Sequence, residues 1–291
     1  MKIALLTCEK LPNGIDSDAS LLSALTEKNI NAKHAIWNDT KINWLDFDVL
    51  IFRSTWDYYE KETEFNNWLD KIEQLGIKTL NAISIINQNK HKFYLRDFEK
   101  QGIKIIPTVF IDKTNNLNIA TIIPSHWSKA VIKPAYSGGS YQTELVDIAN
   151  IDVINQQYKP IAAEKELLLQ QFMPEIKTCG ETSIIFFNKK FMYAVNKQAI
   201  NGDFRIQEQF GGIYSITKIS DKIIEQAQKI VDLFDNDLLY ARVDGILINN
   251  ELHLMEVECL EPDLYFNLAD GATQQFVDAI IENVGHFNSI I

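Results

Sequence analysis

Two carboxylates stand close together late in the chain, in the segment ELHLMEVE at residues 251–258. Side chains of a strand alternate between the two faces of a sheet, so Glu256 and Glu258 share a face with Leu252 and Leu254. The leucines indicate a core face, where two like charges are costly to bury unless a cation binds between them. Oxygen ligands suit Mg²⁺, which also accepts water and substrate phosphates. The pattern therefore predicts a metal site, with a solvated strand end as the alternative.

A third carboxylate, Asp244, lies on the strand before this segment, and the two strands are predicted to pair as a hairpin. A two-residue turn would place Asp244 opposite Met255, on the wrong face. A slip of one residue, or a bulge at Gly245, would place it opposite Glu256 instead. The sequence leaves both registers open.

A lysine and a loop of small residues follow one another in the segment VIKPAYSGGS, residues 131–140. Lys133 ends a predicted strand, and the loop after it contains Ser137, Gly138, Gly139 and Ser140. Glycine lets backbone amides approach an anion closely, so the lysine and the loop could close on a phosphate. The alternative is an ordinary turn, since the phosphate fingerprints GxxxxGK[ST] and GxGxxG do not occur in the sequence.

Two further cations are candidates for the same site. Lys92 lies near the start of a helix predicted from about Asn89 to Gln101, where the positive end of the helix favours an anion. Arg205, in GDFRIQEQFGG, could bind a phosphoryl group with both edges of its guanidinium. The alternatives are a solvated lysine and a surface salt bridge.

Other kinds of site are disfavoured by the composition. The 5 histidines show no HExxH spacing and the 3 cysteines no CxxC pair, and the nucleophile elbow GxSxG does not occur. The net charge of -11 argues against a nucleic-acid partner. No apolar run approaches the roughly 18 residues of a membrane helix. We expect a reduced, cytoplasmic protein without a membrane partner.

The elements that position these residues alternate between strand and helix over about the first 85 residues, as in an open parallel sheet. From Pro107 onward strands dominate, which predicts an α+β body behind an α/β head. Parallel sheets bind ligands at the carboxyl ends of their strands. The segment RSTWDYY lies at such an end.

We therefore considered RSTWDYY as a substrate pocket. Arg53 could hold a substrate carboxylate, with hydrogen bonds from Ser54, Thr55 and Asp57 and an aromatic wall from Trp56 or Tyr58. The alternative is a helix start capped by Ser54 or Thr55, with the aromatic residues packed between domains.

The order of these segments resembles the ATP-grasp superfamily of carboxylate ligases over residues 89–270. The segments are NKHKFYL, VIKPAYSGGS, LLLQQFMPEIKTCGETS, GDFRIQEQFGG, ARVDGI and LMEVECLEP. QQFMPEIKTCGE is similar, with one extra residue, to the hinge pattern Q-x-[YF]-[LM]-P-x-I of bacterial glutathione synthetases. RSTWDYY resembles the corresponding segment of the cyclo-ligases that close O-ureido-serine to cycloserine. The resemblance implies an N-terminal parallel-sheet domain at residues 1–88 and an ATP-grasp domain at 89–291, with a lid at about 107–170 and a central body at about 171–291.

The resemblance also implies roles for individual residues. Lys92 and Lys133 would contact the nucleotide phosphates under the lid loop. The adenine hinge would be Gln170, Gln171, Phe172 and Met173, and Glu181 would hold the ribose hydroxyls. Magnesium would be bound by Asp244, Glu256 and Glu258, although glutathione synthetases usually carry asparagine at the last position. Lys197 and Arg205 would neutralise the transferred phosphoryl group.

The function implied by the resemblance is ATP-dependent ligation through an acyl phosphate, with one or two Mg²⁺ ions, or Mn²⁺ in their place. The expected substrate is a small amino acid or a peptide-like carboxylate, and ring closure within one molecule stays open. A catalytically silent ATP-binding regulatory protein is the alternative, although it would tend to lose the acidic face. A homodimer is expected by analogy with related ligases.

Overall fold

The computed structural model describes residues 1–199, 211–234 and 238–285. The first sheet is parallel, with strand order β2-β1-β3-β4, as the alternation of strand and helix predicts. Its strands are β1 (Lys2–Thr7), β2 (Asn31–Ile36), β3 (Val49–Ser54) and β4 (Lys78–Leu80). The helices of this region are α1 (Leu21–Glu27), α2 (Glu62–Gln74) and α3 (Ile83–Asn89). Strand β3 is buried along its whole length because elements cover both of its faces.

The second sheet is antiparallel, with order β5-β8-β6-β7. Its strands are β5 (Thr108–Ile111), β6 (Ala130–Pro134), β7 (Glu144–Val146) and β8 (Leu167–Gln171). The helices in this part of the chain are α4 (Tyr94–Lys100), α5 (Ile119–Ile122) and α6 (Ile151–Glu164). Ile132 and Leu169 face a small core against Tyr158 of α6, so Lys133, whose side chain alternates with theirs, points to the other face.

The third sheet is antiparallel, with order β11-β10-β9-β12-β13. Its strands are β9 (Glu181–Phe187), β10 (Lys190–Gln198), β11 (Ile213–Thr217), β12 (Tyr240–Ile248) and β13 (Glu251–Glu258). The remaining helices are α7 (Ile176–Cys179), α8 (Asp221–Val231) and α9 (Ala272–Gly285). Within the described residues, no helix has the length and apolar character needed to cross a bilayer.

A β-bulge sets the register of the late hairpin. The ladder shifts between Asp244 and Gly245, so Asp244 pairs with Glu256 and Gly245 with Leu254. A Cβ atom on Gly245 would lie 2.5 Å from the carbonyl oxygen of His253. A larger residue could not occupy position 245 without moving the strand. The bulge register considered from the sequence is thus confirmed, and it brings two carboxylates together across the strands.

The helix predicted from about Asn89 to Gln101 is wrong in its bounds, since α3 ends at Asn89 and α4 begins at Tyr94, after four intervening residues. The amide group of Asn89 binds the backbone of strand β13 and accepts a hydrogen bond from the Cys259 N–H at 2.7 Å. The backbone N–H of Lys92 donates to the carbonyl of Ala135 at 2.8 Å. These tertiary bonds replace helical ones and fix Lys92 in the break between the helices.

Candidate active site

A cavity of ≈ 670 Å³ lies between the second and third sheets, and the segment that follows strand β3 contributes to its wall. Sixteen residues predicted from the sequence contribute to its walls: Trp56, Lys92, Lys133, Ser137, Gly138, Gly139, Ser140, Gln170, Gln171, Phe172, Met173, Glu181, Lys197, Asp244, Glu256 and Glu258. These residues come from eight separate stretches of the chain. The fold therefore gathers them at one site, while their individual roles stay predictions.

Two lysines share one carboxylate in this cavity. The Lys92 Nζ atom lies 3.2 Å from Glu256 Oε1, and the Lys133 Nζ atom lies 3.8 Å from Glu256 Oε2. Lys92 also donates to the carbonyl of Ser137 at 2.5 Å, which ties it to the start of the lid loop. Burial lowers the pKa of Lys133, and the second lysine adds to that shift while Glu256 opposes it. The two cations exceed the charge of Glu256, so the pair can accept a further anion such as a phosphate.

The acidic face of strands β12 and β13 is held by cations of the chain. The Arg242 Nε atom donates to Asp244 Oδ2 at 2.9 Å, and Arg242 Nη2 donates to Glu258 Oε1 at 2.5 Å. Lys197 Nζ lies 3.6 Å from Asp244 Oδ1, and Ser183 donates a short hydrogen bond to the same oxygen. Arg242 was not predicted as a site residue, although its position two residues before Asp244 on the same strand places both on one face.

The pKa values of these acids move in different directions. Burial favours the neutral form of Asp244, but Arg242 and Lys197 outweigh it and hold the pKa of Asp244 below its usual range. Burial raises the pKa of Glu258 to about 7, and the nearby charges of Glu256 and Asp244 act in the same direction while Arg242 opposes them. Glu258 is therefore the carboxylate of the face whose charge is least compensated by its surroundings.

The donor set of this face fits magnesium. Among the described residues, no three acidic, histidine or cysteine side chains already converge as a metal cluster. Asp244 and Glu256 are nevertheless cross-strand partners, and both open on the cavity with Glu258 beside them. All the donors are carboxylate oxygens, which Mg²⁺ prefers, and water and phosphate oxygens would complete its octahedron. Binding the metal requires that these acids exchange their present lysine and arginine partners for it.

The predicted ribose and phosphoryl residues contact each other. Lys197 Nζ forms a short ion pair with Glu181 Oε1, and both side chains are more than nine-tenths buried in the cavity wall. Burial raises the pKa of Glu181, although Lys197 opposes the shift. Lys197 therefore links the predicted ribose carboxylate to the acidic face through Asp244.

The predicted hinge covers the end of strand β8 and the two residues after it, and all four of its residues line the cavity. The backbone N–H groups of Gln171 and Phe172 donate to the carbonyls of Pro107 and Lys129, at 2.8 and 3.0 Å, so these amides are already satisfied. An apolar wall that the sequence analysis did not identify lies at the cavity as well, formed by Ile106, Val131, Ile176, Ile246 and Met255. Such a wall suits the flat faces of a purine ring.

The substrate residues predicted in RSTWDYY are divided by the structure. Arg53 does not line the cavity: its Nε and Nη2 atoms donate to Asp18 at 2.8 and 2.9 Å, and its side chain is 1% exposed. Three aromatic rings surround the guanidinium, each with its centroid 5.5 Å away: Tyr240, Phe266 and Phe276. A buried arginine with a bidentate aspartate partner is a structural ion pair.

The neighbours of Arg53 also lie behind the cavity wall, with one exception. Ser54 and Thr55 are fully buried, and their hydroxyl groups have no hydrogen-bond partner among the described residues. Asp57 accepts a hydrogen bond from the indole of Trp37 at 2.7 Å and pairs with Lys61 at 3.0 Å. Trp56 does line the cavity. The capping alternative for this segment is wrong as well, because neither hydroxyl bonds a helix start and the next helix begins only at Glu62.

Two kinds of cavity residue were not singled out from the sequence. Glu261, in the segment CLEP, is 8% exposed and lines the cavity. Tyr59 and Tyr141 supply aromatic walls near it, together with Tyr58, the residue that the sequence offers as an alternative wall to Trp56. Glu261 lies three residues beyond Glu258, outside the strand alternation that pointed to the metal face. Arg205, the remaining predicted phosphoryl residue, lies outside the described residues.

Comparison with solved structures shows the fold. A crystal structure of the D-cycloserine synthetase DcsG covers 97% of this chain and 99% of its own, with a TM-score of 0.84 and 20% identity. A crystal structure of the D-alanine–D-alanine ligase from Bacillus anthracis in complex with ATP matches with a TM-score of 0.67 and 16% identity, over 97% of this chain and 96% of its own.

Sequence comparisons extend this likeness to families. The cycloserine biosynthesis protein DcsG from Streptomyces lavendulae is 23% identical over 305 residues, which cover 98% of this chain and 99% of that protein. Residues 3–81 match the family of the D-cycloserine synthetase DcsG N-terminal domain. Residues 91–268 match the family of the prokaryotic glutathione synthetase ATP-grasp domain. The chain therefore belongs to the ATP-grasp family of prokaryotic glutathione synthetases and is an ATP-grasp ligase.

Proposed function

We propose that the protein activates the carboxylate of a small amino-acid-type substrate as an acyl phosphate and then joins it to a nitrogen nucleophile of the same molecule, closing a ring and releasing ADP and phosphate. The observation that carries this proposal is one cavity lined by two lysines, a lid loop and three acids. Relatives named for cycloserine, a cyclic amino-acid derivative, support a nucleophile carried by the substrate itself.

The chemistry needs an activated carboxylate because the leaving group of a free carboxylate would be oxide. Transfer of the γ-phosphoryl group to a carboxylate oxygen breaks the bond to the β–γ bridging oxygen and releases ADP. The nitrogen then attacks the acyl carbon, phosphate departs with the electrons of the C–O bond, and the nitrogen loses a proton. Phosphoryl transfer of this kind depends on positioning and charge neutralisation and requires no protein nucleophile.

The chain offers groups for each of these tasks. Lys92 and Lys133 would bind phosphate oxygens in place of part of their present contact with Glu256. The metal-binding acids would be Asp244, Glu256 and Glu258, and bound Mg²⁺ would offset charge on the β and γ oxygens. Lys197 would neutralise charge on the transferred group. The loop from Ser137 to Ser140 would cover the acyl phosphate and keep water from it.

The test is ADP release from MgATP over a panel that contains O-ureido-serine, whose side chain carries nitrogen, beside D-alanine, L-alanine and serine, whose side chains carry none. We expect turnover of at least one member by the wild type and no turnover without magnesium. Glu256→Gln should reduce turnover by about 10²- to 10³-fold, because it removes a carboxylate that would hold the charge-neutralising Mg²⁺. The affinity for ATP should fall less. Glu60→Gln, which alters a surface pair with Lys10, is the matched control and should keep wild-type turnover.

Two results would contradict the proposal. Wild-type turnover in Glu256→Gln would remove this residue from the metal site. Tight binding of MgATP without ADP release for any panel member would favour the silent regulatory protein considered from the sequence.

A further inference from the structure

Glu261 differs from every other acid of the cavity that has been described above. Its side chain is buried to more than nine-tenths and lines the cavity. In the described part of the chain, no group donates a hydrogen bond or forms an ion pair with its carboxylate. By contrast, Glu181 pairs with Lys197, Glu256 with Lys92, and Glu258 with Arg242. A buried carboxylate without a partner is costly, which makes Glu261 a group that gains from a bound cation.

The surroundings of Glu261 place its carboxylate beside the lid loop. The indole N–H of Trp56 donates to the backbone carbonyl of Glu261 at 2.9 Å, which anchors the residue at the cavity wall. A Cβ atom placed on Gly138 would lie 2.9 Å from Cε1 of Tyr59 and 3.5 Å from Oε1 of Glu261. The carboxylate and the Tyr59 ring therefore lie against the same glycine of the lid loop.

Further aromatic rings extend this wall. The ring centroid of Tyr59 lies 5.4 Å from that of Tyr58 and 5.1 Å from that of Tyr141, and all three residues line the cavity with Trp56. Aromatic faces attract organic cations, and a carboxylate among them supplies the balancing charge. The rings offer no oxygen ligands beyond their hydroxyl groups, so the arrangement suits an alkylammonium group better than the octahedral shell of Mg²⁺.

We propose that Glu261 binds the ammonium group of the substrate, so that the ligase selects a carboxylate that carries a free, protonated amino group. This inference rests on the proposed function and adds the substrate class and the residue that selects it. Burial and the neighbouring Glu258 raise the pKa of Glu261 in the empty cavity. An arriving cation supplies the missing partner and restores the charged carboxylate.

Binding is the first test, because it does not depend on turnover. Thermal unfolding of the full-length protein with MgADP would be measured with D-alanine, L-alanine, serine and O-ureido-serine, each compared with its N-acetyl derivative. We expect at least one free amino acid to raise the unfolding temperature of the wild type and its N-acetyl derivative to leave it unchanged. Glu261→Gln should lose this shift, whereas Glu60→Gln should keep it. A panel in which no free amino acid stabilises the wild type, or in which N-acetyl derivatives stabilise it equally, would overturn the inference.

Kinetics with a turned-over panel member separate the inference from the proposed function. Glu261→Gln should raise KM for the amino acid roughly 10- to 100-fold, the range for loss of a hydrogen bond to a charged group, with little change in KM for ATP. Glu261→Gln should also unfold at the wild-type temperature or above in the absence of ligands, because it removes a carboxyl group that is buried without a partner. An unchanged KM, or a higher magnesium requirement instead, would assign Glu261 to another role and leave the ligase activity standing. Failure of the wild type to release ADP would refute the proposed function. The thermal unfolding experiment would still test whether Glu261 binds an ammonium group.

Discussion

Arg53 and Arg242 are both buried arginines beside an aspartate, yet they serve different parts of the molecule. Arg53 has one acidic partner, Asp18, and aromatic rings around the remaining guanidinium surface. Arg242 divides its donors between Asp244 and Glu258 and lines the cavity. A closed one-to-one pair has no capacity for a ligand, whereas a shared network can exchange partners with one. The number of partners, more than burial, distinguishes a structural charge from a functional one here.

The largest test of this contrast is Asp18→Asn. It leaves the buried Arg53 without its anion, so the free energy of unfolding should fall by about 3–5 kcal/mol. Urea denaturation measures this, with Glu60→Gln as the control that changes an exposed pair and should have little effect. If Asp18→Asn instead had normal stability and a raised KM for the substrate, Arg53 would be assigned to binding the substrate carboxylate, as the sequence suggests.

The pH dependence of stability tests the uncompensated charge of Glu258. Its pKa is raised to about 7, so between pH 4.5 and 7 the folded chain holds a proton that the unfolded chain releases. The stability contributed by this group is complete below pH 4.5 and declines as pH rises, by roughly 3 kcal/mol above pH 7. Without metal and nucleotide, the stability of the wild type relative to Glu258→Gln should therefore fall from pH 5 to pH 8.

The control for this comparison is Glu251→Gln, at the exposed start of the same strand, where the neighbouring Lys104 lowers the pKa of the carboxyl group. Relative to Glu251→Gln, the wild type should show no such fall over this pH range. Parallel pH curves for the wild type and Glu258→Gln would contradict the shifted pKa.

Lys133→Met tests the opposite property, a charge that serves a ligand. Lys133 makes only a long contact with Glu256, and in the variant Glu256 would still pair with Lys92. The unfolding temperature should therefore change little. The affinity for ATP should fall about 10- to 100-fold, the range for loss of one hydrogen bond to a charged group. Calorimetric titration of ATP checks this, with Lys129→Met, at the residue just before strand β6, as the control. A large loss of stability with unchanged ATP affinity would make Lys133 structural.

Gly138→Ala should give the smallest effect. The added methyl group would lie 2.9 Å from the Tyr59 ring, so the ring or the lid loop must shift. Overpacking of this size costs about 1 kcal/mol, and we expect turnover to fall about fivefold. The double variant Gly138→Ala, Tyr59→Leu should recover part of that loss if the ring contact is the cause. Equal defects in the single and double variants would place the cause elsewhere.

Much of the cavity was predictable because its residues occur in contiguous motifs. Strand alternation placed Glu256 and Glu258 on one face, and the lysine and loop of VIKPAYSGGS lie together as expected. The pairing of Asp244 with Glu256 depends on the β-bulge at Gly245. The sequence was compatible with this register and with the one that lacks a bulge. The helix break before Lys92 was missed because it is made by hydrogen bonds to distant backbone.

The sequence determined the order of the motifs, the alternation of the strands and the chemistry of each side chain, because these are local properties of neighbouring residues. Only the tertiary structure decided which charges are paired. Asp18 reaches Arg53 across 35 positions and removes it from the cavity, whereas no described group pairs with the carboxylate of Glu261. Pairing depends on distances between remote segments, and folding fixes those distances.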